Sequence, residues 1–133
     1  MGERVHIEVR DYRDLPRYVK AFDVCLMPFA MNEASFYINP TKTLEYMAAE
    51  KPIVSTPIQD VSSLYGDCVS IASSSGEFIT ACARALREDD YARQRRIELM
   101  RNHISHCTWD GTTRQIRREI EAVLLSHSNV REA

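Results

Sequence analysis

The sequence predicts an α/β fold, a Rossmann-like three-layer domain built on a small parallel sheet, and three observations carry that expectation. Short β-like runs alternate with amphipathic helical segments, which is the mark of repeated βαβ units. The run Asp23-Val24-Cys25-Leu26-Met27-Pro28 is almost continuously apolar, as strands covered on both faces are. With 133 residues, 44% of them hydrophobic, the chain suits one domain with a real core. That domain is expected over residues 1–127, with 128–133 as a frayed tail.

Taken in order, Val5-His6-Ile7-Glu8-Val9 alternates and predicts a half-buried strand with His6 on its solvent face. Asp14-Leu15-Pro16 starts a helix, with proline tolerated in the first turn and Leu15, Tyr18, Val19 and Phe22 on the apolar face. The apolar run ending at Met27 is the next strand, and residues 29–38 lack either periodicity and read as a loop. A helix follows from Asn39-Pro40, turning Leu44, Met47 and Ala48 inward. Pro52-Ile53-Val54-Ser55 and Cys68-Val69-Ser70-Ile71-Ala72 are two more strands. Ser74-Ser75-Gly76-Glu77 reads as a capping box ahead of a stripe of Phe78, Ile79, Cys82 and Leu86. Two amphipathic helices close the chain, one with Ile97, Met100 and Ile104, the other with Ile116, Ile120, Val123 and Leu124. Trp109 is expected to anchor the last helix in the core.

Several function classes are disfavoured. Seventeen basic and nineteen acidic residues leave a formal charge of -2, without the basic stripe of a nucleic-acid binder. Arg93, Arg95, Arg96, Arg114, Arg117 and Arg118 are interleaved with glutamates and read as solvated helix faces. Neither G-x-G-x-x-G nor G-x-x-x-x-G-K-[ST] is present, so dinucleotide and P-loop readings lack their phosphate cradle. No acidic cluster ends the first strand, which disfavours a receiver domain; Asp89 and Asp90 fall between two helices. There is no apolar run of the roughly 18–20 residues that span a bilayer, and no signal-peptide core. The four cysteines are scattered, so a reduced, cytoplasmic setting is expected, with Cys25 and Cys68 acting as small buried hydrophobes. His103, His106 and Cys107 are too few for a zinc site, and neither a metal nor another cofactor is expected.

The informative stretch runs from Ile38-Asn39-Pro40-Thr41-Lys42-Thr43-Leu44-Glu45-Tyr46 to Lys51-Pro52-Ile53-Val54-Ser55-Thr56. Asn39 as N-cap and Pro40 as first helical residue would aim free backbone N–H groups out of the strand ends, a ready phosphate site that needs no glycine. Lys42 adds a positive charge in the first turn, and Glu45 follows three residues on, along the same side of the helix. A carboxylate one turn behind a phosphate is placed to accept hydrogen bonds from ribose hydroxyls. The plain alternative is a Lys42–Glu45 pair within the helix, worth only about 0.2–0.5 kcal/mol.

This stretch resembles the donor-binding motif of retaining glycosyltransferases with the GT-B fold, glycosyltransferase family 4 (group 1). Its flanks agree, from the Leu15-Pro16 helix and Phe22-Asp23-Val24 to Met27-Pro28-Phe29, and again at Cys107-Thr108-Trp109-Asp110. The resemblance implies the C-terminal half of a GT-B fold that binds a nucleotide sugar, uridine or guanosine diphosphate in type, and helps transfer a hexosyl group to an acceptor hydroxyl. It implies that Glu45 binds the ribose and that the backbone of Thr41, Lys42 and Thr43 meets the diphosphate. It also places Thr56 beside the crevice and makes Asn39 a cap or a phosphate contact. Glu45 matches the second acid of the family's E-x7-E pair, whereas the first acid's position holds Tyr37. Tyr37 and Phe36 then either line a sugar pocket or plug the edge of the sheet. Glu50 stands where a glycine is common, so a left-handed cap there would cost about 1 kcal/mol.

The resemblance further implies a missing N-terminal GT-B domain, which would supply the acceptor site, and a last helix that crosses to it. Catalytic residues are not assigned. Two other readings follow from the departures: a non-catalytic nucleotide-sugar-binding module, or an interaction domain that forms a homodimer through the last helix.

Overall fold

The computed structural model describes residues 5–131, with side chains described through residue 126. Three strands, β1 (Cys25–Met27), β2 (Ile53–Ser55) and β3 (Ser70–Ile71), form one sheet in the order β1-β2-β3. Both pairings are parallel, with Leu26 opposite Val54 and Ser55 opposite Ile71. The described residues also form six α-helices: α1 (Leu15–Ala21), α2 (Lys42–Ala48), α3 (Gln59–Tyr65), α4 (Ser75–Ala85), α5 (Asp90–His106) and α6 (Trp109–Arg131). The α/β class and the small parallel sheet are those expected. Cys25, Met27 and Ile53 from the strands meet Val19 of α1, Met47 of α2, Val61 of α3 and Met100 of α5 in a single core. Cys25 and Cys68 are both buried in it, and all four cysteines are free.

Local chemistry explains the boundaries. Asp89 caps α5 through Ala92 N–H at 2.8 Å, and Ser74 caps α4 through Glu77 N–H at 3.3 Å. The reciprocal arm of that second cap lands one residue early, since Glu77 accepts from Ser73 N–H rather than Ser74. Only part of the expected α4 stripe faces inward. Ala81 is buried and Phe78 and Cys82 are partly covered, while Ile79 and Leu86 lie on the solvent side.

The end of α2 is held in a Schellman turn. Glu50 N–H reaches Met47 O at 2.8 Å, Lys51 N–H reaches Tyr46 O at 3.1 Å, and Glu50 sits at φ 58°. The left-handed cap foreseen from the sequence is therefore present on a residue with a Cβ. Arg101 compensates by donating to Glu50 Oε1 at 2.7 Å and 2.6 Å, and Arg96 donates to the Glu50 carbonyl at 3.0 Å. Both Glu50→Gly and Glu50→Ala delete the exposed Arg101 pair, worth under about 1 kcal/mol. Only glycine also removes the left-handed strain, so Glu50→Gly is expected to be more stable than Glu50→Ala by about 1 kcal/mol in urea denaturation. Alanine equal to or better than glycine would show that φ 58° carries no strain.

Several expectations are corrected. Val5–Val9 form no strand and are exposed, because alternation reports which face would be buried but cannot supply a neighbour to hydrogen-bond. The sheet stops at β1, and the segment pairs with none of the described strands. The loop at 29–38 contains a 3₁₀ turn over Glu33–Tyr37, closed by a capping box between Asn32 and Ser35. Helix α3 is an element beyond those expected, and Ile58, Val61 and Tyr65 are spaced to share one helical face. Helix α2 starts at Lys42 with Thr41 as N-cap, so neither Asn39 nor Pro40 takes its expected place.

Two further corrections concern exposure. Trp109 is 87% exposed and anchors nothing in the core. Arg96 is not solvated: its guanidinium grips both Glu88 carboxylate oxygens at 2.8 and 2.7 Å, in a pair only 12% and 16% exposed. Helix α6 runs to Arg131, past position 127, and residues 132–133 lie outside the described part. Its side chains from Thr112 to Ser126 are exposed, including the apolar Ile116, Ile120, Val123 and Leu124. Among the described residues no helix is long and apolar enough to cross a membrane.

Candidate functional site

Parallel strands send their following loops to one end of the sheet, the end where α/β proteins gather their ligand contacts. Here that end is built from the segments after β1 and β2. Thr56, just past β2, is tied back to the end of β1, with its N–H 3.2 Å and its hydroxyl 3.4 Å from Met27 O. The chain after β1 passes through the Glu33–Tyr37 turn and enters α2 at Lys42. Tyr37, Asn39, Thr41, Lys42, Glu45 and Thr56 therefore all follow the carboxyl ends of neighbouring strands.

Their local settings differ. Thr43 points into the core, its hydroxyl 3.6 Å from Met27 Sδ and its N–H bonded to Pro40 O at 3.1 Å. It locks α2 onto β1, and its side chain is not available to a ligand. Lys42 is exposed beside it. Tyr37 is 86% exposed and Phe36 61%, so neither ring plugs the sheet in this chain.

Glu45 is the residue around which a cavity forms. Half-buried on α2, its Oε1 accepts a hydrogen bond from the Tyr12 hydroxyl at 3.1 Å, across 33 residues of sequence. The carboxylate pushes the Tyr12 phenol above its ordinary range by that hydrogen bond and by its charge. A groove of about 500 Å³ runs between α1 and α2, walled by Leu15, Val19, Ala48 and Ala49, with Tyr12, Lys20, Glu45 and Glu50 as its polar groups. Volume and lining are those of a small-molecule site, mostly apolar with a few polar groups to orient the ligand.

Glu45 is a candidate legible in the sequence, whereas its hydrogen-bond partner Tyr12 and the α1 wall are not. The available signal was weak: Asp11 caps the short turn Tyr12–Asp14 by accepting from Arg13 N–H at 2.9 Å, and that cap presents Tyr12 ahead of α1. Nothing in linear spacing links positions 12 and 45.

A separate group of side chains with metal-ligating chemistry differs from the His103, His106 and Cys107 set considered from the sequence. His103 meets neither His106 nor Cys107 in such a group; it lies with Asp67 and Cys68.

Residues 2–88 match the family described as "Glycosyl transferases group 1". The chain is 27% identical over 109 residues to the "Putative teichuronic acid biosynthesis glycosyltransferase TuaH" of Bacillus subtilis (strain 168). That similarity covers 80% of this chain and 27% of the relative, so the chain spans about a quarter of that protein's length. No solved structure matches it.

Proposed function

Since the chain belongs to the group 1 glycosyltransferases, we propose that it is the donor-binding half of a retaining GT-B enzyme, holding a nucleoside diphosphate sugar whose hexosyl group passes to an acceptor hydroxyl. The observation that carries this reading is Glu45, a half-buried carboxylate at an apolar groove and hydrogen-bonded there by Tyr12. A carboxylate so placed accepts from vicinal ribose hydroxyls, and Tyr12 orients it for them. The apolar walls at Leu15, Val19 and Ala48 suit the face of a planar base, uracil or guanine. Lys42, exposed in the first turn of α2, is the positive charge available to the diphosphate. With the backbone at Thr41 and Lys42 it would stabilise the negative charge that builds on the departing diphosphate. The reaction needs no metal or other cofactor in this half, and the setting is cytoplasmic.

The remainder of the enzyme, an N-terminal domain bearing the acceptor site, would cover the apolar stripe of α6. A second reading rests on Tyr37, which stands exposed where the family carries its first acid: a module that binds the donor without transferring it. Restoring the N-terminal domain and assaying donor turnover separates the two.

Binding itself is tested by calorimetric titration with UDP, GDP and ADP. One diphosphate is expected to bind saturably, and Glu45→Ala to weaken it by about 10–100-fold, the worth of a hydrogen bond to a charged group. Equal affinity in Glu45→Ala, or no binding by the chain with its N-terminal domain restored, sinks the proposal.

A further inference from the structure

We propose that Asp67, Cys68 and His103 form a binding site for a borderline divalent cation of the zinc type, separate from the donor groove. Asp67 and Cys68 occupy the turn between α3 and β3, and His103 comes from the far end of α5, 36 residues away from Asp67. One ligand atom from each of the three residues lies within 4.8 Å of the other two. Tetrahedral zinc with bonds of about 2.0–2.3 Å sets its donors about 3.5 Å apart, so the group closes on an ion with small side-chain movements.

The three residues are held where a ligand set needs them. The Asp67–Cys68 turn is pinned by Cys68 N–H and Val69 N–H, which both donate to Tyr65 O, at 3.0 and 2.8 Å. The His103 ring is steered by the edge-on Tyr65 ring, 5.3 Å away at 88°. His103 Nε2 already faces both Asp67 carboxylate oxygens, at 2.9 and 3.1 Å. Cys68 is only 7% exposed, which shelters its sulfur from oxidants and from rival thiols.

The donor chemistry selects the ion. Sulfur, imidazole nitrogen and one carboxylate suit zinc or cobalt(II), whereas magnesium and calcium take all-oxygen shells. A fourth position is left for water. Cys107, four residues beyond His103, is exposed and is not one of the three converging side chains. The thiolate is the form of Cys68 that ligates, so binding a cation would release the thiol proton to solvent.

The place in the fold separates this site from the donor groove. Asp67 and Cys68 precede β3 and so lie at the amino end of the parallel strands, whereas Thr56 and the start of α2 follow the carboxyl ends. A bound ion would rivet α5 to the α3–β3 corner.

Titration of the purified chain with cobalt(II) tests this. One equivalent is expected to bind, with a thiolate-to-cobalt charge-transfer band and the intense visible bands of a tetrahedral ion. Cys68→Ser should abolish the charge-transfer band and His103→Gln should weaken binding at least tenfold, while His106→Ala and Cys107→Ser bind as the parent does. Zinc at a hundredfold excess over the parental Kd should raise Tm by about 8 °C in the parent and by about half of that or less in His103→Gln. His103 is partly exposed, so its variant is informative even if Cys68→Ser does not fold. Absence of the band in the parent overturns the site. So does a band lost with Cys107→Ser yet kept in Cys68→Ser, or parental affinity in His103→Gln.

Discussion

Met100→Ala is expected to lower the free energy of unfolding by about 3 kcal/mol, within the range for truncating a fully buried methionine. Met100 has no solvent exposure and joins the core shared by Met47 of α2, Val61 of α3 and the strands. Helix α5 is otherwise strongly polar and contributes this one fully buried side chain, with Leu99 and Ile104 packed at the margin. Removing the thioether leaves a void that the short strands cannot collapse into without breaking register. Urea denaturation should show a lower midpoint with an unchanged slope, which identifies lost stability rather than an altered denatured state. Met100→Leu, nearly the same volume, should cost under about 1.5 kcal/mol. An alanine variant within 1 kcal/mol of the parent would mean that α5 is not docked through this residue.

Arg96→Ala should cost about 2–4 kcal/mol, for a different reason. The Arg96 guanidinium binds both oxygens of Glu88, and its remaining Nη1 reaches the Glu50 carbonyl at 3.0 Å and Met100 Sδ at 3.4 Å. Alanine strands a mostly buried carboxylate and takes away a donor from the left-handed residue that ends α2. The penalty is therefore mainly that of an uncompensated charge, and removing both charges should relieve it. The double variant Arg96→Met with Glu88→Leu is expected to be more stable than Arg96→Ala. A double variant at least as damaged as the single one would mean that the pair itself, not the stranded acid, supplies the stability. Since Arg96 touches Met100, the two alanine substitutions should not be additive, and a double-mutant cycle would read their coupling.

These residues show how far linear pattern reaches. Met100 was legible as a core residue from its spacing with Ile97 and Ile104, because helical periodicity reports burial directly. Arg96 was not: it follows Arg93 and Arg95 in a basic run, and only the approach of Glu88 and Glu50 withdraws it from water. Likewise Glu45 could be singled out by its place after Lys42, while its partner Tyr12 could not, since folding alone brings positions 12 and 45 together. Glu50 is the intermediate case. The left-handed residue after α2 was an expectation from the family resemblance, in which glycine is common there, but the arginines that brace it come from α5.

What the sequence by itself determined was the α/β class, the parallel strands after position 23, the helix cap at Ser74, and the segment from Asn39 to Thr56 whose resemblance points to glycosyl transfer. Each of these is a local or short-period property, written in neighbouring residues. Tertiary structure alone decided which expected elements found partners. It left Val5–Val9 unpaired and Trp109 in solvent, and it drew Arg96 out of water. It also gathered Tyr12 with Glu45, and His103 with Asp67 and Cys68. Pairing, desolvation and side-chain convergence depend on distances between remote segments, and those distances exist only once the core has closed.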